Sequence, residues 1–250
     1  MPPREVRKFL QINHVVRLLR PTLDELHRKH DALRVLDAGC GRSYLTLLLA
    51  HCARARGDSL EVLGVDRDAA VIAECQRRTE LADLADVVRF VATPLDALAD
   101  DSPTHAVFAL HACDTATCDA IALGVARGAE LIAVAPCCQA ELARGWTELA
   151  GTEGAFAPIW RAPHLRRETA AHVTDAMRVL LLRSAGYDVI AMEFITAEHT
   201  KKNTLLRAIR NGVPDPAARA EYDALVVATG GRGLTLATRL NPSSSRPHPR

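Results

Sequence analysis

The feature that most constrains this chain is a rhythm. Five strand-length apolar runs, RVLDAG (34–39), LEVLGVD (60–66), DVVRFVA (86–92), THAVFALHA (104–112) and ELIAVAP (130–136), are separated by helix-length segments such as SYLTLLLAHCARAR and AAVIAECQRRTELADLA. A helix after each strand supplies the dozen or more residues that a parallel crossover needs. The pattern predicts a doubly wound α/β sheet. Two later runs, YDVIAMEFI (187–195) and NTLLRAIR (203–210), break the rhythm, because the short segment ending in AEHTKK between them cannot hold a crossover. They are expected to pair as an antiparallel hairpin at or near the sheet edge, which makes seven strands in all.

Outside the sheet, Phe9, Ile12, Val16 and Leu19 recur at helical spacing, with Arg4, Arg7, Gln11 and His14 on another face. Pro21 closes this run and a second short helix follows over 22–30. The expected organisation is an N-terminal helical extension (1–32), one Rossmann-like domain (33–212) and a C-terminal segment (213–250) whose polar end, NPSSSRPHPR, is expected to be disordered. The stretch 147–168, rich in Gly, Pro and Arg, reads as a loop or lid rather than a second domain.

Composition narrows the function classes. A 250-residue chain that is 48% hydrophobic can bury a sizeable core, and 4% aromatic content argues against rows of base-stacking rings. A formal charge of +1 gives no whole-protein footprint for a polyanion, so any nucleic acid would bind a local patch. Seven cysteines, an odd number, in a chain with no charged-then-apolar leader read as a reduced, cytoplasmic protein. No apolar stretch reaches the ~20 uncharged residues of a membrane helix. No obligate protein partner is evident.

The first strand ends in VLDAGCGRSY. Gly39 and Gly41 allow a sharp turn and close backbone approach, and the helix that follows directs its positive end at the same place. The second strand ends in Asp66, and this setting points to a nucleotide site. A dinucleotide fingerprint would carry a third glycine where Tyr44 stands, and no GK[ST] follows for a P-loop. Asp37 places a carboxylate at the loop that repels a pyrophosphate and attracts an ammonium or sulfonium.

On these residues the chain resembles the class I S-adenosylmethionine-dependent methyltransferases over roughly 33–210. The resemblance implies a seven-stranded sheet ending in an antiparallel hairpin and S-adenosyl-L-methionine as cofactor. Asp37, Gly39 and Gly41 would cradle its methionine part, with Cys40 in the same loop. Asp66 would take both ribose hydroxyls, with Arg67 next to it, and Thr93 would lie beside the adenine. His111, at the end of strand four, is a candidate on both the cofactor and the acceptor side. Ser43 replaces the usual third glycine of the DxGxGxG pattern.

Strands four and five end in LHACDTAT and APCCQ, so both should present their segments at the crevice where an acceptor meets the methyl group. His111, Ala112, Cys113 and Asp114 stand where exocyclic-amine methyltransferases carry N/D-P-P-aromatic. The ACD and CCQ segments, with HTKKN at 199–203, are most similar to a methyltransferase-like group named for ribosomal-RNA adenine dimethylases, distantly related to tRNA 2′-O-methyltransferases with a Cys-Cys-His segment. This implies RNA as the acceptor, with a protein or small-molecule methyltransferase, or a non-catalytic cofactor-binding module, as the alternatives.

Asp114 and His111 are candidates to orient or deprotonate the acceptor, and Gln139 to donate a hydrogen bond from the far side. Asp114 reads equally as a helix N-cap. For Cys137 and Cys138, packing, substrate lining and a covalent nucleophile all remain open. No metal is expected, since adjacent cysteines do not converge on one tetrahedral centre. His199 and Lys201 sit in the hairpin turn, and His164, Arg166, Arg167, Lys201, Lys202, Arg207 and Arg210 are candidates for a basic rim.

Overall fold

A computed structural model of the chain describes residues 3–100, 102–110, 112, 114–136, 139–194 and 203–241. Seven strands form one sheet: β1 (Leu33–Ala38), β2 (Leu60–Asp66), β3 (Val88–Ala92), β4 (Ala106–Leu110), β5 (Leu131–Ala135), β6 (Tyr187–Glu193) and β7 (Thr204–Arg210). Their order is β3-β2-β1-β4-β5-β7-β6. The first five are parallel, and β7 inserts antiparallel between β5 and the edge strand β6, with Leu131 opposite Ile209 and Tyr187 opposite Arg210. The sequence therefore predicts the sheet and its closing hairpin correctly. The chain order reverses between β1 and β4, so the carboxyl ends of these strands open a crevice there.

The strands β4 and β5 are apolar on both faces because both are covered. Val107, Ala109, Ile132 and Val134 pack into one core, and Ala106, Phe108, Leu131 and Ala133 into the other. On the second side lie α1 (Pro3–Lys29), α2 (Tyr44–Arg56) and α3 (Ala69–Leu81). On the first lie α4 (Thr115–Ala126), α5 (Glu141–Thr147), α6 (Ala157–Arg161), α7 (Pro163–Ser184), α8 (Pro216–Ala228) and α9 (Thr235–Leu240). Local chemistry sets several ends: Gly57 terminates α2 at φ 73°, and the Asp68 carboxylate caps α3 by accepting from the amides of Ala70 and Val71.

Three expectations are corrected. Pro21 does not split the N-terminal helix; it lies inside α1. A helix proline forfeits one backbone bond, but Leu19, Leu23 and Leu26 on either side of it are buried and hold the helix against the sheet. The buried stripe runs through Ile12, Val15 and Leu19, and leaves Phe9 44% exposed. The stretch 147–168 is not a free loop: it contains α6 and the start of α7, with Trp160 buried beside Phe156 and Trp146. Of the residues expected to form a basic rim, Arg210 is placed elsewhere. Arg210 pairs with Tyr187 at the start of β6 and packs against Gly128, toward the amino end of β5 and away from the crevice. His199, Lys201, Lys202 and the C-terminal end beyond 241 lie outside the described residues. No helix among the described residues is long and apolar enough to cross a membrane.

Candidate active site

The loop after β1 is built from backbone. Gly39 and Gly41 take φ of +71° and +50°, and the amides of Gly39 and Cys40 both donate to the Val65 carbonyl at 2.8 and 3.0 Å. A Cβ on Gly39 would stand 3.5 Å from the Ala112 methyl, so glycine keeps the space between the loop and the end of β4 open. Ser43 takes the third left-handed turn, φ 57°, just before α2. A serine there bears a Cβ strain that glycine would not.

Asp66 lies at the carboxyl end of β2. One carboxylate oxygen accepts from the Gly41 amide at 3.0 Å and the other from the Asp68 amide at 3.1 Å, which locks the carboxylate beside the glycine loop. The Thr93 amide donates to the Asp66 carbonyl at 2.9 Å, placing the ends of β2 and β3 side by side. A cleft of about 310 Å³ opens between them, lined by Gly39, Asp66, Arg67, Thr93, Ala112 and Thr115, among others.

Asp37 and Cys40 lie beneath this surface. Asp37 is 2% exposed and accepts from the Thr46 hydroxyl at 2.5 Å, so it ties the loop to the first turn of α2. The Cys75 thiol, also buried, donates to the Gly41 carbonyl at 3.0 Å. Its pKa is held down to about 7, first by the neighbouring Cys40 thiol, while Cys40 is pushed up by Cys75 and by burial.

The acceptor side is built differently. Asp114, in a strained φ 54°, ψ −113° conformation, does not cap its own helix α4. Its carboxylate reaches across to the loop after β5, accepting from the amides of Ala140 and Glu141 at 2.9 and 2.8 Å and from Arg144 at 2.6 Å. Burial works to raise its pKa, but Arg144 and the two amides outweigh that and leave it below the ordinary aspartate value. Gln139 is 6% exposed and donates through Nε2 to Asp175 at 3.0 Å. His111, Cys113, Cys137 and Cys138 lie outside the described residues.

Sequence reading missed Thr46, Thr117, Arg144, Asp175 and Arg178. The Thr117 hydroxyl donates to the Ala112 carbonyl at 2.8 Å, fixing the bend after β4. Arg178 had a legible signal, a charge inside the otherwise apolar AMRVLLL of α7.

A bound S-adenosylmethionine is tested by what the cleft offers. A locked carboxylate matches a vicinal diol, left-handed glycines leave backbone bare for close approach, and the lining between Thr93 and Thr115 suits a flat heterocycle with polar edges. The residues fit the cofactor. Fold and site together define a class I methyltransferase.

The comparisons with known proteins agree. A family model described as a methyltransferase domain matches residues 7–145, more than half of the chain, and the chain belongs to that family. No curated protein matches. Among solved structures, the chain is similar to a Klebsiella pneumoniae protein described as an O-methyltransferase (16% identity, 81% of this chain and 80% of that one, TM-score 0.50). It is also similar to an rRNA methylase from Streptococcus thermophilus (12% identity, 75% and 92%, TM-score 0.47). A third likeness is to the CMeT domain of the citrinin polyketide synthase (15% identity, TM-score 0.45), covering 73% of this chain and only 47% of that one. At these identities the likeness is one of fold. By family and fold, this protein is an S-adenosylmethionine-dependent methyltransferase.

Proposed function

We propose that the protein methylates RNA, at an acceptor held between the ends of β4 and β5. The supporting observation is that the segments around Asp114 and Gln139, whose residue types resemble the RNA-methylating group, meet each other beside the cofactor cleft: Asp114 accepts from the amides that follow Gln139, and Ala112 borders Gly39. When bound, S-adenosylmethionine supplies an electrophilic methyl group on a sulfonium. The chain's own work is placement. Asp66 holds the ribose, and the glycine loop holds the methionine end. Ala112, Asp114 and Gln139, beyond the ends of β4 and β5, stand on the side against which the acceptor is aligned.

Asp114 is a poor proton acceptor in this setting, because its charge is stabilised by Arg144 and two amides. Its part is to hold the two loops together, so proton removal, where the acceptor needs it, falls to His111 or to solvent. The chain carries only a +1 formal charge, so RNA recognition is expected to be local and moderately salt-dependent. The test is transfer of labelled methyl groups from S-adenosylmethionine to total RNA and, in parallel, to a protein extract and to a small-molecule fraction. Label that becomes RNase-sensitive supports the reading. Label confined to protein or to small molecules overturns it in favour of those acceptors, and tight cofactor binding without transfer to any fraction marks a binding module.

A further inference from the structure

The Arg178 side chain is 1% exposed, on the buried face of α7 that it shares with Ala170, Thr174, Met177 and Leu181. A guanidinium cannot stay there as a lone charge; it must be paired and hydrogen-bonded. Its Nη1 donates to Asp175, one turn earlier on α7, at 3.1 Å, and its Nη2 donates to the Asp114 carbonyl at 3.0 Å and reaches the Cys118 sulfur at 3.5 Å. The second oxygen of Asp175 accepts from Gln139 at 3.0 Å. Asp114 then closes the circuit through Ala140 and Glu141. The result is a ring, Asp114 carbonyl to Arg178 to Asp175 to Gln139 and back to the Asp114 carboxylate. It fastens the loop after β4 to the loop after β5.

We infer that the Arg178–Asp175 pair of α7 positions the acceptor side of the active site. The inference rests on the reading of this end of the sheet as the place of methyl transfer. Three features carry it. The pair is buried, and a buried ion pair is weak evidence of stabilisation for its own sake, so its hydrogen bonds to Asp114 and Gln139 are the informative part. It reaches both loops, donating to the Asp114 carbonyl and accepting from the Gln139 side chain, and so bridges them. It also restrains Asp114 in a backbone conformation that is rarely populated without surrounding support. No contact joins the pair to Asp66 or the glycine loop among the described residues, so its influence is confined to one half of the site.

The test compares wild type with Asp175→Leu/Arg178→Met, an apolar pair of similar volume, and with Arg178→Lys, which keeps the charge but cannot reach two partners with a planar fork. In the double variant, amide hydrogen exchange in peptides 112–118 and 139–146 should quicken by about tenfold or more while peptides 37–46 are unchanged. Calorimetric affinity for S-adenosylhomocysteine should stay within about twofold, since the cofactor side is untouched. Methyl transfer to total RNA should lose about 100-fold in kcat with little change in KM for S-adenosylmethionine, and Arg178→Lys should recover part of it. A folded double variant with unchanged loop protection, or one that transfers methyl groups at the wild-type rate, overturns the inference. If the double variant does not fold, Arg178→Lys decides by the same two readouts. Wild-type protein that labels no RNA sinks the RNA reading instead, and loop exchange still decides for or against the positioning pair.

Discussion

The two halves of the site are made from different materials. The cofactor half is backbone and short side chains: two left-handed glycines, amides converging on Val65, and one carboxylate held by Gly41 and Asp68. Its parts come from the turns at the ends of β1 and β2, joined by backbone amides and one carboxylate. The acceptor half is a buried circuit of charged and amide side chains, Asp114, Gln139, Asp175 and Arg178, gathered from segments up to 64 residues apart. The difference suits the two tasks. One half accommodates a ligand that the whole family shares and needs only bare backbone and one carboxylate. The other ties two loops together through charge-assisted hydrogen bonds, which are directional where apolar packing is not.

The largest effect that tests this division is on Asp66. Asp66→Ala removes the lock on Gly41 and the carboxylate assigned to the ribose diol, and two charge-assisted hydrogen bonds at about 1.5–3 kcal/mol each translate to an expected loss of roughly 100-fold or more in cofactor affinity. Calorimetry that finds the affinity unchanged breaks the assignment of the cofactor half. Next is Gly64 in β2, where an added Cβ would collide with the Phe90 ring and stand 3.3 Å from the Cys40 sulfur. Gly64→Ala is expected to cost about 2 kcal/mol and lower Tm by roughly 4–8 °C, which thermal melts would show.

On the other half, Asp114→Asn tests a charge. The folded pKa of Asp114 lies below the ordinary value, so its contribution to stability is present above the unfolded pKa and is lost as pH falls through the folded one. The variant should be about 1 kcal/mol less stable than wild type in urea melts at pH 7, and the gap should close below about pH 4. A gap that persists at low pH would show that shape rather than charge holds the two loops. The smallest expected effect is Ser43→Gly, which relieves the left-handed strain at φ 57° and is expected to raise Tm by about 1–2 °C, offset in part by the freedom that glycine adds to the unfolded chain. A fall in Tm instead would mean that the buried Ser43 side chain contributes more than its backbone costs.

Much of the cofactor half is legible in the chain because it depends on local conformation. Gly39 and Gly41 announce a backbone that other residues resist, and Asp66 falls at a strand end that periodicity alone locates. Even there the side chains of Asp37 and Cys40 turn out to lie under the loop, against Thr46 and near Gly64, because a residue's number in a motif does not say which way it points. Pro21 misleads for a related reason: its local cost is real, but burial of Leu19, Leu23 and Leu26 outweighs it.

The sequence by itself determined the sheet, its closing hairpin, the glycine loop and the carboxylate beside it, since strand-length apolar runs, crossover length and left-handed turns are all properties of short stretches. The tertiary structure alone decided that α7 reaches under the ends of β4 and β5 and that Asp114 serves the loop after β5 rather than its own helix. Those contacts depend on which helix covers which strand end, and a buried charge finds its partners only once the core around it has closed.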